Sequence, residues 1–234
     1  MTAEKILKEL KSLSTDEQAE KNQRYYKGED KSTKILGTPF GKIFQVARKG
    51  KILPLKEVKN LLDSPYYEAR MAAVATMDFK VRGKSPGLEE RKALFDLYLS
   101  NHHRIDNWDL VDRAAWRVVG NYLLDRDRTI LYQLAREGDH WEKRTAIVST
   151  YAFIRTGEVE DTFNIAKLLL DDQFELTQRA VGSWVREAGK KSPDHLLPFL
   201  DKYAAKMARI SLRYAVEKLD KSQRDKYMKM QNRD

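Results

Sequence analysis

The chain has 234 residues, of which 41% are hydrophobic and 34% charged, and its net charge is +9. Such a composition suits one medium-sized domain with a buried core and many solvated helix faces, and it fits a disordered chain less well. The absence of cysteine excludes a disulfide scaffold, a thiolate metal site and a cysteine nucleophile. The charged first residues contain no apolar signal region, and no run approaches roughly 18 apolar residues. We therefore expect a cytoplasmic protein that makes no membrane contact.

The basic residues are concentrated towards both ends of the chain. Residues 1–60 and residues 186–234 each carry a net charge of +6, whereas residues 61–185 carry −3. Two basic regions in one domain could line a cationic groove that follows the phosphates of a nucleic acid. The alternative interpretation is that the charge only keeps the protein soluble, and charge alone leaves both interpretations open.

Apolar residues follow a helical spacing along almost the whole chain, as in the stripe formed by Trp108, Val111, Ala115, Val118 and Tyr122. The sequence predicts about a dozen helices joined by short turns, with residues 27–38 the least regular. Serine followed by proline suits an N-cap and the first helical residue. The pairs are Ser64-Pro65, Ser85-Pro86 and Ser192-Pro193. We expect one domain over residues 1–234, with basic N-terminal helices over 1–60 and repeats over 61–234.

An arginine followed shortly by an alanine recurs in the middle of successive predicted helices. The five instances are Arg70-Met71-Ala72, Arg113-Ala114-Ala115, Arg144-Thr145-Ala146, Arg179-Ala180 and Arg213-Tyr214-Ala215. Their alanines are 43, 31, 34 and 35 residues apart, about the length of a helix pair in HEAT-type repeats. The pattern predicts an all-α fold, an α-solenoid of HEAT-like helical repeats, with each arginine near the edge of an apolar face. Chance matches between two common helix residues are the alternative.

Several familiar sites are excluded. The four histidines show no spacing that would bind a metal. Gly83-Lys84-Ser85 resembles the end of a phosphate-binding loop, but Asp78 stands where the first glycine should be. It also lies between two predicted helices, with no strand before it. We therefore expect neither a metal nor a cofactor.

The segment DNWDLVDRAAW, residues 106–116, is the most informative part of the sequence. Asp106 or Asn107 would cap a helix, and Asp109 would lie in its first turn, where a carboxylate favours the positive end of the helix dipole. That structural role is sufficient for Asp109.

Asp112 lies too far along this helix to cap it. It follows Trp108 by four residues and precedes Trp116 by four, so the three side chains should share one face. One interpretation is a structural ion pair with an arginine of a neighbouring repeat, such as Arg144. The other is an ionised carboxylate that stabilises a developing cation, assisted by the aromatic faces. Both interpretations remain open.

A base alkylated on a ring nitrogen would make the second interpretation chemically coherent. Such a base is already a good leaving group, and its departure leaves a sugar with oxocarbenium character that a carboxylate can stabilise. Glycoside hydrolysis usually needs two carboxylates. A cationic base needs no protonation, so a single carboxylate would suffice.

At these residues the sequence resembles the DNA alkylation repair family of AlkD-type HEAT-like repeat DNA glycosylases. The matching stretches are NWDLVD (107–112), VGNYLLDRDRTILYQLAREGDHWEKRTAIVSTYAFI (119–154), DTFNIAKLLLDD (161–172), LTQRAVGSWVREAGKKS (176–192) and LRYAVEKL (212–219). The resemblance implies a basic concave face that holds duplex DNA, and release of N3- or N7-alkylated purines without a cofactor or metal. It places the family's catalytic aspartate on Asp112, its partner tryptophan on Trp108 and its cleft arginine on Arg144. A tyrosine near the N-terminus of the family corresponds to Tyr25 or Tyr26.

Two departures from the family pattern point to an alternative function. Ser183 stands where members usually carry a second cleft tryptophan, and Trp184 follows one residue later, about 100° further around the helix. Residues 35–51 also lack the expected glycine, proline and arginine pattern. The alternative is a non-catalytic protein that binds branched or distorted DNA.

Both functions predict DNA as the partner, and we expect a monomer. The residues predicted to contact DNA are Tyr26, Trp108, Arg113, Arg144, Arg179, Trp184 and Arg213. Contacts from residues 27–52 and 78–88 are left open.

Overall fold

A computed structural model describes residues 1–82 and 86–230. These residues form helices and connecting turns without a β-strand, and Lys34 and Tyr66 make an isolated parallel bridge. The predicted all-α class is confirmed. Helices that are neighbours in the sequence pack on one another, which is consistent with the α-solenoid class. The Gly83-Lys84-Ser85 triplet and the Ser85 N-cap lie outside the described residues.

The chain divides into two compact units, Met1–Tyr122 and Leu123–Asp234. The α-helices of the first unit are α1 (Ala3–Ser12), α2 (Asp16–Tyr25), α3 (Phe40–Lys49), α4 (Leu55–Leu62), α5 (Tyr67–Val81), α6 (Leu88–Ser100) and α7 (Trp108–Ala115). A π-helical turn, Trp116–Gly120, continues α7. The α-helices of the second unit are α8 (Thr129–Glu137), α9 (His140–Ser149), α10 (Tyr151–Thr156), α11 (Glu160–Leu168), α12 (Glu175–Lys191), α13 (Pro193–Tyr203), α14 (Arg209–Ala215) and α15 (Lys221–Met230).

Helix α5 forms the centre of the first unit. It packs against α3, α4 and α7, and all fifteen of its residues are buried. Four of the buried side chains, Glu68, Arg70, Asp78 and Lys80, belong to charged residue types. Because a buried charge is stable only with partners, each of them requires polar groups from neighbouring segments.

Glu68 holds the connection between α2 and α3 against the core. Its carboxylate accepts hydrogen bonds from the Asn22 side chain (2.8 Å) and from the backbone N–H groups of Leu36 (2.8 Å) and Gly37 (2.9 Å). Gly37 has a φ of +88°, and a Cβ there would lie 2.2 Å from the carbonyl oxygen of Thr15. Only glycine fits this left-handed, crowded position. The segment without regular apolar spacing is therefore an ordered loop.

Helix α12 has the corresponding place in the second unit, where it packs against α9, α13 and α14. Its contact with α14 is close at Gly182, because a Cβ there would lie 2.3 Å from the carbonyl oxygen of Ser211 and 2.8 Å from Cβ of Tyr214. The glycine of the AVGSW segment therefore permits the approach of two helix backbones.

The alanines of the repeat pattern lie in the core, since Ala72, Ala115, Ala146, Ala180 and Ala215 are all buried. The prediction that each preceding arginine lies at the edge of an apolar face is wrong for Arg70. Its side chain is fully buried, and it donates hydrogen bonds to Asp106 (2.8 Å) and Thr33 (2.7 Å). Whether the pattern marks repeats stays a prediction.

Of the two Ser-Pro helix starts that lie in the described residues, one is confirmed and one is wrong. Ser192 is the N-cap of α13, with Pro193 as its first residue, and Asp139 caps α9 through a capping box. Helix α5 begins at Tyr67, two residues later than the Ser64-Pro65 pair indicates. Ser64 accepts a hydrogen bond from the backbone N–H of Tyr66 in the turn that precedes the helix (3.2 Å).

Candidate functional site

Hydrogen bonds connect the start of α7 to the end of α2. The fully buried side chain of Asn107 accepts a hydrogen bond from the backbone N–H of Lys27 (2.7 Å) and donates to the carbonyl oxygen of Tyr25 (3.1 Å). The indole N–H of Trp108 donates to the same carbonyl oxygen (3.1 Å). These bonds fix the position of Trp108 and the direction in which α7 leaves the loop.

A pocket of about 390 Å³ opens beside α7 within the first unit. It is lined by Tyr25, Phe40, Phe44, Met71, Trp108, Asp109, Asp112, Arg113 and Arg117. Its volume lies within the range of pockets that hold small ligands, roughly 300–1,000 Å³. The pocket thus brings together aromatic rings, two carboxylates and two guanidinium groups.

The aromatic wall comes mainly from α2 and α3. The rings of Tyr25 and Phe40 meet edge to face at 5.7 Å, and Phe40 contacts Phe44 at 6.4 Å. Tyr25 keeps 48% of its surface exposed. A ring of this kind can stack against a planar ligand.

Asp109 is one of the two carboxylates that line the pocket. Its oxygens accept hydrogen bonds from the Tyr67 hydroxyl and from the Asn107 side chain (2.6 Å). Burial raises the pKa of Asp109 to about 6, the two hydrogen bonds oppose this rise, and the negative charge of Asp112 adds to it. The sequence assigned Asp109 only a place in the first turn. Its spacing of three residues from Asp112 is the signal that both face the same side.

The structure places Tyr25 and Tyr26 differently. Tyr25 lines the pocket, whereas the Tyr26 hydroxyl donates to the Asp106 carboxylate (2.7 Å) and contacts the Thr33 hydroxyl (3.0 Å). Burial and the adjacent Asp106 raise the pKa of Tyr26. Tyr26 therefore belongs to the same network as Arg70, since both side chains contact Asp106 and Thr33.

Trp108, Asp112 and Arg113 are the predicted site residues that the structure brings to this pocket. The Arg113 guanidinium forms an ion pair with Asp78 (2.9 Å) and lies over the Phe44 ring at 4.3 Å. Trp116, which was predicted to share a face with Asp112, lies in the π-helical turn and does not line the pocket.

The other predicted residues lie in the second unit. Arg144 on α9 is buried and donates a hydrogen bond to the carbonyl oxygen of Leu176. Trp184 on α12 packs against Tyr151 with ring centres 4.7 Å apart.

The remaining two predicted residues of the second unit are exposed arginines. Arg179 on α12 forms an ion pair with Glu175 (2.5 Å), and Arg213 lies on α14. Their predicted contacts with DNA stay predictions.

In the part of the chain that the structure describes, no helix is both long enough and apolar enough to cross a bilayer.

The fold and the pocket define an all-helical protein that presents carboxylates, aromatic rings and arginines at one site. Residues 6–219 match the model of the DNA alkylation repair enzyme family, and the chain belongs to that family. Membership supports a role in the repair of alkylation damage to DNA.

A solved structure described as a "predicted DNA alkylation repair enzyme from Enterococcus faecalis" has a similar fold, with a TM-score of 0.67 and 16% sequence identity. The superposition covers 89% of this chain and 97% of that one. Among curated proteins, no sequence matches this chain.

Proposed function

We propose that the protein is a DNA glycosylase that removes purines alkylated on N3 or N7 from duplex DNA, with Asp112 as its catalytic carboxylate. One observation carries the proposal: the pocket beside α7 combines Asp112 and Asp109 with the rings of Trp108, Tyr25 and Phe40. Carboxylates and aromatic faces are the groups that stabilise a cation, and family membership supports alkylated DNA as the substrate.

The reaction begins from a base that already carries a positive charge. The glycosidic bond between the base and C1′ of the sugar breaks. Its electron pair goes to the base, and the base leaves neutral. The sugar then carries the positive charge, which the ionised Asp112 stabilises. Water adds to C1′ and releases its proton, for which Asp112 is the acceptor. No general acid is required because the leaving base needs no proton.

The aromatic wall would hold the cationic base before the bond breaks. Trp108 is oriented by its hydrogen bond to the Tyr25 carbonyl oxygen, and the Tyr25 ring remains exposed. Attraction between a cation and an aromatic face contributes roughly 0.5–2 kcal/mol. A neutral base loses this attraction, which favours the alkylated form.

Arg144, Arg179, Trp184 and Arg213 remain proposed DNA contacts of the second unit. Arg179 and Arg213 are exposed and can reach phosphate oxygens. Each phosphate contact releases condensed counterions, so we expect DNA affinity to fall steeply with salt concentration. Affinity that does not change with salt would contradict this part of the proposal.

A non-catalytic protein that binds branched or distorted DNA is the second candidate. Ser183 stands where the resemblance calls for a second cleft tryptophan, and the neighbouring Trp184 packs against Tyr151. This candidate needs the basic residues but does not need Asp112 for turnover.

Release of free base from a duplex containing N7-methylguanine separates the two candidates. The wild type should release the base, and Asp112→Asn should not. Asp96→Asn provides the matched control, because Asp96 is half-exposed on α6, pairs with Lys92 and does not line the pocket. No release by the wild type, combined with tight binding to junction DNA, would overturn the glycosylase and support the binder.

A further inference from the structure

Four arginines of the first unit lie around the buried carboxylate of Asp78 and the neighbouring ring of Phe79. We call Arg48, Arg82, Arg113 and Arg117 the arginine cluster. Asp78 on α5 is fully buried. It accepts hydrogen bonds from Nε of Arg82 (3.0 Å) and from its terminal nitrogen (2.5 Å). It also forms ion pairs with Arg113 (2.9 Å) and Arg117 (3.1 Å). One carboxylate therefore holds three guanidinium groups in fixed positions.

The ring of Phe79 contacts three arginines of the cluster. The guanidinium carbons of Arg48, Arg82 and Arg113 lie 5.1, 4.9 and 4.8 Å from its ring centre. Arg48 is exposed, and the side chain of Arg82 is 38% exposed. A guanidinium group that stacks on an aromatic ring keeps its N–H edge available for an oxygen ligand.

Positive charge exceeds negative charge in the cluster. Three guanidinium groups pair with the single carboxylate of Asp78, and the nearby Arg48 forms no ion pair with any described residue. Burial lowers the pKa of Arg113, and the positive charges of its neighbours Arg82, Arg117 and Arg48 lower it further against the opposing effect of Asp78. An anion at this place would relieve the repulsion between the arginines.

The cluster borders the pocket that the proposed function uses. Arg113 and Arg117 line that pocket, and Arg113 directly follows Asp112 on α7. Phe44 lines both this pocket and a second hollow of about 640 Å³, which Arg48 also lines. A ligand that leaves the pocket past Phe44 therefore passes the cluster.

We propose that the arginine cluster binds a backbone phosphodiester of the DNA strand, next to the nucleotide that the pocket holds. This inference rests on the proposed function for the identity of the strand. Guanidinium groups bind phosphate oxygens through paired, charge-assisted hydrogen bonds. Asp78 is a positioning residue, which holds the arginines in place without touching the DNA.

The test compares how DNA affinity depends on salt in the wild type, Arg48→Gln and Arg82→Gln. Each lost phosphate contact should reduce the slope of log affinity against log salt by about 0.9. Lys59→Gln removes the same unit charge from α4, where Lys59 pairs with Asp63, and should keep the wild-type slope. Wild-type slopes in both cluster variants would overturn the inference. Arg48→Gln loses only the described contact with Phe79, so this variant should fold even if Arg82→Gln does not.

A second measurement separates a DNA phosphate from a free one. Pyrophosphate should raise the melting temperature of the wild type more than that of Arg48→Gln, since a ligand stabilises the state that binds it. Pyrophosphate could raise the melting temperature of the wild type more than that of Arg48→Gln while the two proteins show the same salt dependence of DNA affinity. In that case the cluster binds free phosphate and the inference fails. Release of the alkylated base by the wild type is measured independently of DNA affinity. A glycosylase whose DNA slopes are unchanged in the variants refutes only the cluster, and altered slopes without base release refute only the glycosylase.

Discussion

Replacing Asp109 with asparagine should change how the stability of the protein depends on pH. In the folded state burial raises the pKa of Asp109 to about 6 from an ordinary value of 3.8. The folded protein therefore holds this proton more tightly than the unfolded chain does. Binding of this proton therefore stabilises the folded state. The stabilisation is complete below roughly pH 4 and is lost as the pH rises to about 6. A difference of about two pH units corresponds to at most about 3 kcal/mol.

The assay is urea unfolding of the wild type and Asp109→Asn at several pH values. The unfolding free energy of the wild type, minus that of the variant, should increase by about 2 kcal/mol between roughly pH 7.5 and pH 4.5. Taking the difference cancels the titration of all other groups that the two proteins share. Asp96→Asn removes an exposed carboxylate, so its difference from the wild type should vary much less. A difference for Asp109→Asn that does not vary with pH would refute the reasoning from burial.

Two further replacements test the packing of the helices by thermal and urea unfolding. Gly182→Ala should destabilise the protein by roughly 1–3 kcal/mol, because its Cβ would lie 2.3 Å from the carbonyl oxygen of Ser211. Gly41→Ala has open space around it and should be neutral or stabilise by up to about 1 kcal/mol, and equal effects of the two would contradict this account. Arg70→Met should cost about 3 kcal/mol because it leaves Asp106 without its cation, and adding Asp106→Asn should recover part of the loss. A double variant that shows only the sum of the two single losses would contradict a direct coupling.

The helical class could be predicted from the sequence because its signal is local. Apolar spacing repeats within each helix, and capping residues such as Asp139 and Ser192 act within one turn. The burial of Arg70 depends instead on Asp106 and Thr33, which are 36 and 37 residues away along the chain. A pattern read along one helix cannot show such a partner.

The pocket was only partly predictable for the same reason. Trp108 and Asp112 stand four residues apart on one helix, so the sequence shows that they share a face. Phe40 and Phe44 reach the pocket from α3, and only the tertiary fold reveals that contact. Asp109 was assigned to the helix dipole alone, since its hydrogen bond with Tyr67 joins residues 42 positions apart in the chain.

Single-turnover release of N7-methylguanine from duplex DNA, at saturating protein, tests the central claim most directly. DNA binding is measured in parallel for the wild type and Asp112→Asn. We predict that the variant binds the duplex at least as tightly and releases the base roughly 100-fold more slowly or worse, because it loses a charge that acts only when the sugar becomes cationic. Equal rates of release by the two proteins, or no release by the wild type, would contradict the claim that this pocket excises alkylated bases.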